Sequence, residues 1–377
     1  MNISWWESSI TSHQIYPLLE LNNNSNVTLA VYTLQDLPQQ RKASWSFQIL
    51  SSLNHTRISL FNPFHLVKYL RRSLGTFHIF GGPFDSFLLI LIIFVLLFFK
   101  QKVYILTEPY CPLDLDYFQD RLPTILRLQK FVRLAKHKFL WFCLKGSISG
   151  VFVISTHARD QLLAHKLSAT LLYPFCYFVR ALEPVLRSQD CTFSPKPSSL
   201  RCVFVGNQSK CKGFDVLLDS FARLLNAGVV LDVYSFHHNT RLNYPENVYF
   251  KGEIEFGLAQ HYICQYDLLI LPSRYDGWGV VVNEAIHAGV PVLCTSSVGA
   301  STIVRKYVSG IVLECLSVDS IMVALLDLLS NPTRLALLSS NCKLASASLQ
   351  AEIASQYIQA ILSGDESIAS RIVDLWY

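Results

Sequence analysis

The sequence predicts an α/β protein built from two Rossmann-like domains, and three observations carry that expectation. The chain has 377 residues, more than a single hydrophobic core usually supports. Its short apolar runs are unbroken rather than alternating, as in parallel strands buried on both faces. These runs also alternate with helix-period segments, the order produced by successive β-α-β crossovers.

In the first half, strands are expected at "VTLAVYTL" (27–34), "FHIFGG" (77–82), "KVYILTEP" (102–109) and "GVFVIST" (150–156). The polar, three-proline stretch 182–199 reads as an interdomain connection. The expected boundaries are 1–185 for the first domain, 186–199 for the linker and 200–350 for the second domain. The last helical segment, about 350–377, is expected to pack back on the first. In the second half, "RCVFVGN" (201–207) is a strand ending in glycine, followed by an amphipathic helix over 212–228. Strands at 229–236 and 247–254, a helix at 256–266 and a fully apolar strand at 267–273 come next. Then come a helix at 278–288, strands at 291–296 and 309–315, and helical runs at 317–330 and 332–362.

Composition narrows the function. Apolar residues make up 51% and charged residues 16%, so the chain is folded and leans towards membrane contact. The net charge of +5 says little about partners by itself. The ten cysteines show no C-x-x-C pair and no Cys/His zinc spacing, and free thiols in a reducing compartment are expected. "MNISWWESS" has neither a basic n-region nor an apolar h-region, so no signal peptide is expected. No G-x-G-x-x-G is present, which leaves nicotinamide and flavin cofactors unsupported. Bulky aliphatics interleave the basic run and no recognition motif occurs, so nucleic acid is not expected as a partner.

The chemistry concentrates in "LPSRYDGWGVVVNEAIHAGVPVLCTSS" (271–297). Gly277 and Gly279 are expected to allow positive φ and close approach of a ligand to the backbone. The N–H groups of Trp278, Gly279 and Val280 would open the following helix, a site suited to a diphosphate. Glu284 lies about two turns further on, where its carboxylate would accept bonds from ribose hydroxyls. Asp276, on the loop, would do the same for a sugar ring. A second loop, "VGNQSKCKG" (205–213), places Lys210 and Lys212 beside Gly206 and Gly213. A Gly-x-Gly turn before a helix is common. Spacing alone leaves a solvated Glu284 and ordinary surface lysines as an open alternative.

"DLLILPSRYDGWGVVVNEAIHAGVPVLCTSSVGA" resembles the signature of family 4 glycosyltransferases, retaining nucleotide-sugar-dependent enzymes of the GT-B architecture. Pro272, Ser273, Asp276, Gly277, Trp278, Gly279, Glu284, Ala285, Gly289, Pro291 and Val292 fit it. "FVGNQSKCKGFDVLLDSF" resembles the family's donor loop, with Lys212 and Gly213 at its Lys-Gly. The resemblance implies two Rossmann-like domains facing each other across a donor/acceptor cleft. It implies that Glu284 holds the donor ribose and Asp276 the transferred sugar. Trp278, Gly279 and Val280 would present amides to the sugar and diphosphate, and Lys212 would neutralise the leaving diphosphate. The loop around Glu253 and Ile254 would face the base, and no metal or other cofactor would be needed. Where the family carries an arginine after the donor-loop glycine, this chain has Asn207, and Lys210 or Arg274 would take over. Where many members carry a histidine, this chain has Thr107-Glu108-Pro109. Glu108 is then the candidate polar residue on the catalytic side, with His157 as the second.

Two segments point to a membrane. Residues 121–145 hold Arg121, Arg127, Lys130, Arg133, Lys136, Lys138 and Lys145, no acid, and interleaved Phe131, Val132 and Phe139. That is the pattern of a basic amphipathic helix on an anionic surface, or of a domain helix with a solvated basic face. "FLLILIIFVLLFF" (87–99) is uninterrupted apolar sequence. As a helix it spans about 20 Å against a hydrocarbon core of about 30 Å, so it should fill a helix slot of the sheet. With no polar face, it needs cover from a bilayer, a partner or the rest of the fold.

The expected function is transfer of a sugar from a nucleotide-diphosphate donor to a lipid-linked or surface-polysaccharide acceptor, peripherally at the cytoplasmic face of the cell membrane. A soluble transferase making a small glycoside and a non-catalytic sugar-nucleotide-binding subunit are the alternatives.

Overall fold

The structure of the protein is a computed structural model. It describes residues 1–10, 12–35, 53–58, 63–111, 123–182, 199–236, 243–255 and 257–376. The expected linker at 186–199 lies outside them apart from its last residue, as do Arg121 and the side chain of Lys130. The chain divides into two compact units. Of the described residues, unit 1 takes those within 1–110, 122–178 and 351–375, and unit 2 those within 111–121, 179–350 and 376–377.

Unit 1 is a seven-stranded parallel sheet in the order β3-β2-β1-β4-β5-β6-β7. Its strands are β1 (Asn2–Glu7), β2 (Thr28–Thr33), β3 (His55–Arg57), β4 (Phe77–Gly81), β5 (Lys102–Thr107), β6 (Gly150–Ile154) and β7 (Leu172–Phe175). The β2, β4, β5 and β6 segments follow the apolar runs. β1 escapes that reading because Ser4 and Glu7 interrupt its apolar character, yet both are buried in the fold. β3 and β7 are too short to declare themselves by periodicity.

Helices α1 (Ser12–Asn23), α2 (Pro63–Ser73), α3 (Phe87–Phe98), α4 (Pro123–Leu144) and α5 (Ser155–Ala164) connect these strands. The core on one face joins Trp6, Tyr32 and Phe80 to buried side chains of α3, α4 and α5, with Leu66, Tyr69 and Leu70 of α2 packed against it. Trp6 stacks on Tyr32 with ring centroids 4.3 Å apart and donates its Nε1–H to His78 Nδ1 at 3.2 Å. α2 to α5 therefore form one helical layer.

Unit 2 is a six-stranded parallel sheet in the order β10-β9-β8-β11-β12-β13. Its strands are β8 (Leu200–Val205), β9 (Val229–Tyr234), β10 (Val248–Gly252), β11 (Leu268–Leu271), β12 (Val292–Thr295) and β13 (Gly310–Leu313). Helices α6 (Phe214–Arg223), α7 (Ala259–Ile263), α8 (Val280–His287), α9 (Ser301–Tyr307), α10 (Val318–Ser330) and α11 (Pro332–Ser348) cover it. The helix expected at 256–266 covers only Ala259–Ile263, and the one expected to reach 228 ends at Arg223. The helix expected from 212 begins only at Phe214, because Gly213 caps it in the left-handed region. The single run expected over 332–362 is two helices, α11 and α12 (Ala351–Ser363). α11 ends at Ser348, and α12 belongs to unit 1, where Asn24 bonds Gln359 at 3.1 Å. A last helix, α13, covers Glu366–Trp376.

Both sheets have a reversal of strand order beside their first strand. In unit 2 the chain runs from β8 outward to β10, then returns to place β11 on the other side of β8. In such a sheet the loops leaving adjacent strands diverge at that point, and ligands bind outside the strands' carboxyl ends there.

Candidate functional site

The two loops singled out in the sequence leave β8 and β11, the strands on either side of the unit 2 reversal. Backbone and side-chain contacts fasten them together. Arg274 N–H donates to the Cys211 carbonyl at 2.8 Å. The Cys211 thiol donates to the Tyr275 carbonyl at 3.4 Å. Lys212 Nζ donates to Asp276 Oδ2 at 2.5 Å, with both side chains largely buried.

Gly213 explains why the loops approach so closely. It sits at φ 67°, and a Cβ built there would lie 1.9 Å from the Pro272 carbonyl oxygen. No other residue permits both the conformation and the contact. Gly279 has the same role before α8. At φ 86°, its missing Cβ would press on Val298 and Leu271 and lie 3.5 Å from Asp276 Oδ2.

Gly279 caps α8 without any side-chain acceptor. Among the described residues, the amides of Trp278, Gly279 and Val280 make no hydrogen bond. Unpartnered N–H groups at a helix N-terminus form a ready anion site. The Trp278 indole points away from this site, buried with its N–H on Asn283 Oδ1 at 2.8 Å. Gly277 departs from expectation: it is not at positive φ. Its neighbour Asp276 runs alongside 297–299 instead, with its N–H on the Ser297 carbonyl and its carbonyl accepting from Gly299.

Glu284 is partly buried on α8. Its carboxylate has no partner among the described residues, and burial pushes its pKa up to about 7. A carboxylate without an internal partner is available to bind hydroxyls, and such binding favours its charged form.

The remaining predicted residues fall as follows. Gly206, at φ 150°, ends β8 with its N–H on the Tyr234 carbonyl at 3.0 Å. Lys210 is exposed. Arg274 is held by Asp215 through a two-pronged ion pair of 2.6 and 2.8 Å and also donates to the Lys210 carbonyl at 2.5 Å. It therefore serves first as a brace between the two loops. Sequence reasoning missed Asp215, whose signal was an acid in the first turn of α6. Glu253 is exposed and Ile254 half-buried, just past β10 at the sheet edge. In unit 1, Glu108 follows the carboxyl end of β5, where the Tyr177 hydroxyl donates to its carboxylate. His157 lies in the first turn of α5. No group of three or more His, Cys, Asp or Glu capable of holding a metal occurs among the described residues. Every described cysteine is a free thiol.

Residues 199–331, most of unit 2, match the family described as "Glycosyl transferases group 1". A protein of the Klebsiella pneumoniae cps region, itself uncharacterized, is 29% identical over 124 residues, covering 30% of this chain and 33% of that protein. A GDP-mannose-dependent phosphatidylinositol monomannoside mannosyltransferase of Corynebacterium glutamicum is 33% identical over 98 residues, 24% of this chain and 26% of that one. The matched segments thus span a third or less of these curated relatives. The fold is similar across the whole length to Anabaena HepE, solved in complex with UDP, at a TM-score of 0.70. That likeness has 14% identity and covers 97% of this chain and all of that one. The family match is confined to unit 2, and the two parallel-sheet units share the GT-B fold of their structural neighbours.

Proposed function

We propose that this GT-B chain, with its glycosyl transferases group 1 domain, is a retaining glycosyltransferase using a nucleotide-diphosphate sugar. The observation that carries the proposal is the Lys212–Asp276 pair set beside three unpartnered amides at the unit 2 strand reversal. The amides and Lys212 receive the diphosphate, so its developing charge is met by fixed donors rather than by a metal. Asp276, held by Lys212, accepts from a hydroxyl of the transferred sugar. Glu284 accepts from the ribose hydroxyls, and the segment at Glu253 and Ile254 lies against the base. HepE, which has this fold, was solved with UDP, and that likeness supports a nucleotide-diphosphate donor.

On this reading the protein positions its substrates and stabilises the leaving diphosphate, which itself takes the acceptor's proton during front-face attack. Glu108 is the polar residue assigned to the acceptor side. The acceptor is lipid-linked or a surface saccharide, and the enzyme works peripherally at the cytoplasmic face of the membrane.

The test is a panel of nucleoside diphosphates read by thermal shift, followed by donor turnover. One diphosphate should raise Tm, and Glu284→Ala should abolish that rise and the turnover. Turnover unchanged in Glu284→Ala would overturn the site. A chain that binds a diphosphate but never turns over a donor would be a binding subunit instead.

A further inference from the structure

We infer that the α2–α3–α4 layer of unit 1 is a docking face for an anionic lipid surface. This rests on the membrane-located transferase proposed above and names the surface by which it would attach. α3 is apolar on all sides, and the fold covers only half of it. Leu89, Ile92, Ile93 and Leu96 are buried, whereas Phe87 and Phe98 are each 82% exposed. The neighbouring helices continue the exposed apolar surface. Phe64 on α2 is 82% exposed, and Phe131 and Phe139 on α4 are 70% and 64% exposed. Apolar surface of this extent, contributed by three adjacent helices, marks an interaction face.

Charge identifies what covers it. Lys68, Arg71 and Arg72 on α2, Lys100 just beyond α3, and Arg127 and Lys138 on α4 are all exposed. No Asp or Glu occurs in any of the three helices. A second copy docking face to face would bring like charges together across a two-fold interface. An anionic bilayer meets both features at once, with phenylalanines at the acyl boundary and cations among the phosphates. α3, at about 18 Å, lies in the interface, since no single helix among the described residues is long and apolar enough to cross a membrane. Because the helical layer parallels the sheet, the unit 1 strands then run along the membrane plane. Their carboxyl ends, with Glu108, open sideways along the surface, where a lipid-linked acceptor's head group stands.

The test is flotation of the full chain with vesicles of phosphatidylcholine alone or with about a third phosphatidylglycerol, at low and high salt. The chain should bind the mixed vesicles, and less so at high salt. Each surface cation contributes roughly a fivefold change in partitioning. Lys68→Gln/Arg71→Gln/Arg72→Gln should therefore weaken binding about a hundredfold, and Phe64→Ser/Phe87→Ser/Phe131→Ser at least tenfold. Failure of the unmodified chain to float, or variants that float like it, would overturn the inference. So would a dimer that the phenylalanine variant dissociates and vesicles do not bind. The diphosphate thermal shift, measured on the same variants, should be unchanged. A failure of docking is thereby distinguished from a failure of the donor site.

Discussion

Lys212 Nζ stands 2.5 Å from Asp276 Oδ2, and the pair joins two loops that leave adjacent strands of the unit 2 sheet. Each residue supplies the other's charge partner, and Asp276 Oδ2 lies beside Gly279. Removing one partner leaves a partly buried charge uncompensated, which costs about 1–3 kcal/mol. Lys212→Met should lower stability by that amount and weaken diphosphate binding at least tenfold. Lys212→Met/Asp276→Asn should recover much of the stability but none of the binding. Chemical denaturation and calorimetry read the two effects separately. Additive stability losses would show that the pair is not coupled.

Gly213 and Gly289 sit at nearly the same φ, 67° and 72°, but a Cβ at Gly213 meets the Pro272 carbonyl at 1.9 Å while one at Gly289 meets nothing within 4 Å. Gly289→Ala should therefore cost about 1 kcal/mol, the conformational penalty alone. Gly213→Ala should cost roughly 2–4 kcal/mol, because the loops must separate, and should abolish diphosphate binding. Urea denaturation of both variants checks the contrast, and equal losses would overturn the close-contact account.

Glu284 titrates at about 7, raised by burial from an ordinary 4.5. The unfolded chain gives up this proton near pH 4.5 and the native chain near pH 7. The charged carboxylate therefore costs native stability, fully above pH 7, partly between the two values and not at all below pH 4.5. Glu284→Gln should be more stable than the unmodified protein at pH 8 and indistinguishable from it near pH 4.5. A ribose that donates to the carboxylate favours its charged form, so diphosphate affinity should rise from pH 6 to pH 8 and proton release should accompany binding at pH 6.5. A pH-independent affinity would count against a ribose contact at Glu284.

Glu7 ends β1 almost wholly buried, accepting from Trp5 Nε1 at 2.6 Å, with its pKa pushed up to about 8 by burial. A Cβ at Gly81, its neighbour on β4, would lie 2.3 Å from Glu7 Oε1. Gly81→Ala should destabilise unit 1 by roughly 1–3 kcal/mol, and Glu7→Ala in the same chain should relieve most of that clash. Thermal denaturation of the single and double variants settles it: no relief would mean that the collision lies elsewhere.

Much of the fold was legible in the residues. The unbroken runs "VYILT" and "LLIL" announce parallel strands because both faces of such strands are covered and no alternation is needed. Of the candidate site, Gly213 and Gly279 were legible, because glycines placed between a buried strand and a helix signal positive φ and close backbone approach, and both are found there. Less legible were residues whose meaning depends on a distant partner. Asp215 looks like an ordinary first-turn acid until Arg274 meets it across 59 positions. Gly277 looks like its neighbour Gly279, yet it is not at positive φ and follows Asp276, which pairs with 297–299. β1 was hidden because a buried glutamate and serine read as polar.

By itself, the sequence determined the α/β class, the parallel strands, the two loops that carry the candidate donor site, and the basic and apolar segments of unit 1. These are properties of local order: periodicity, glycine placement and the absence of acids are visible along the chain. Only the tertiary structure decided that the loops are locked together by Lys212–Asp276 and Arg274–Asp215. It also decided that α3 is half covered rather than buried, and that α2 shares its exposed face. Those outcomes depend on which strands become neighbours, and the reversal of strand order that sets them is a long-range pairing no local pattern encodes.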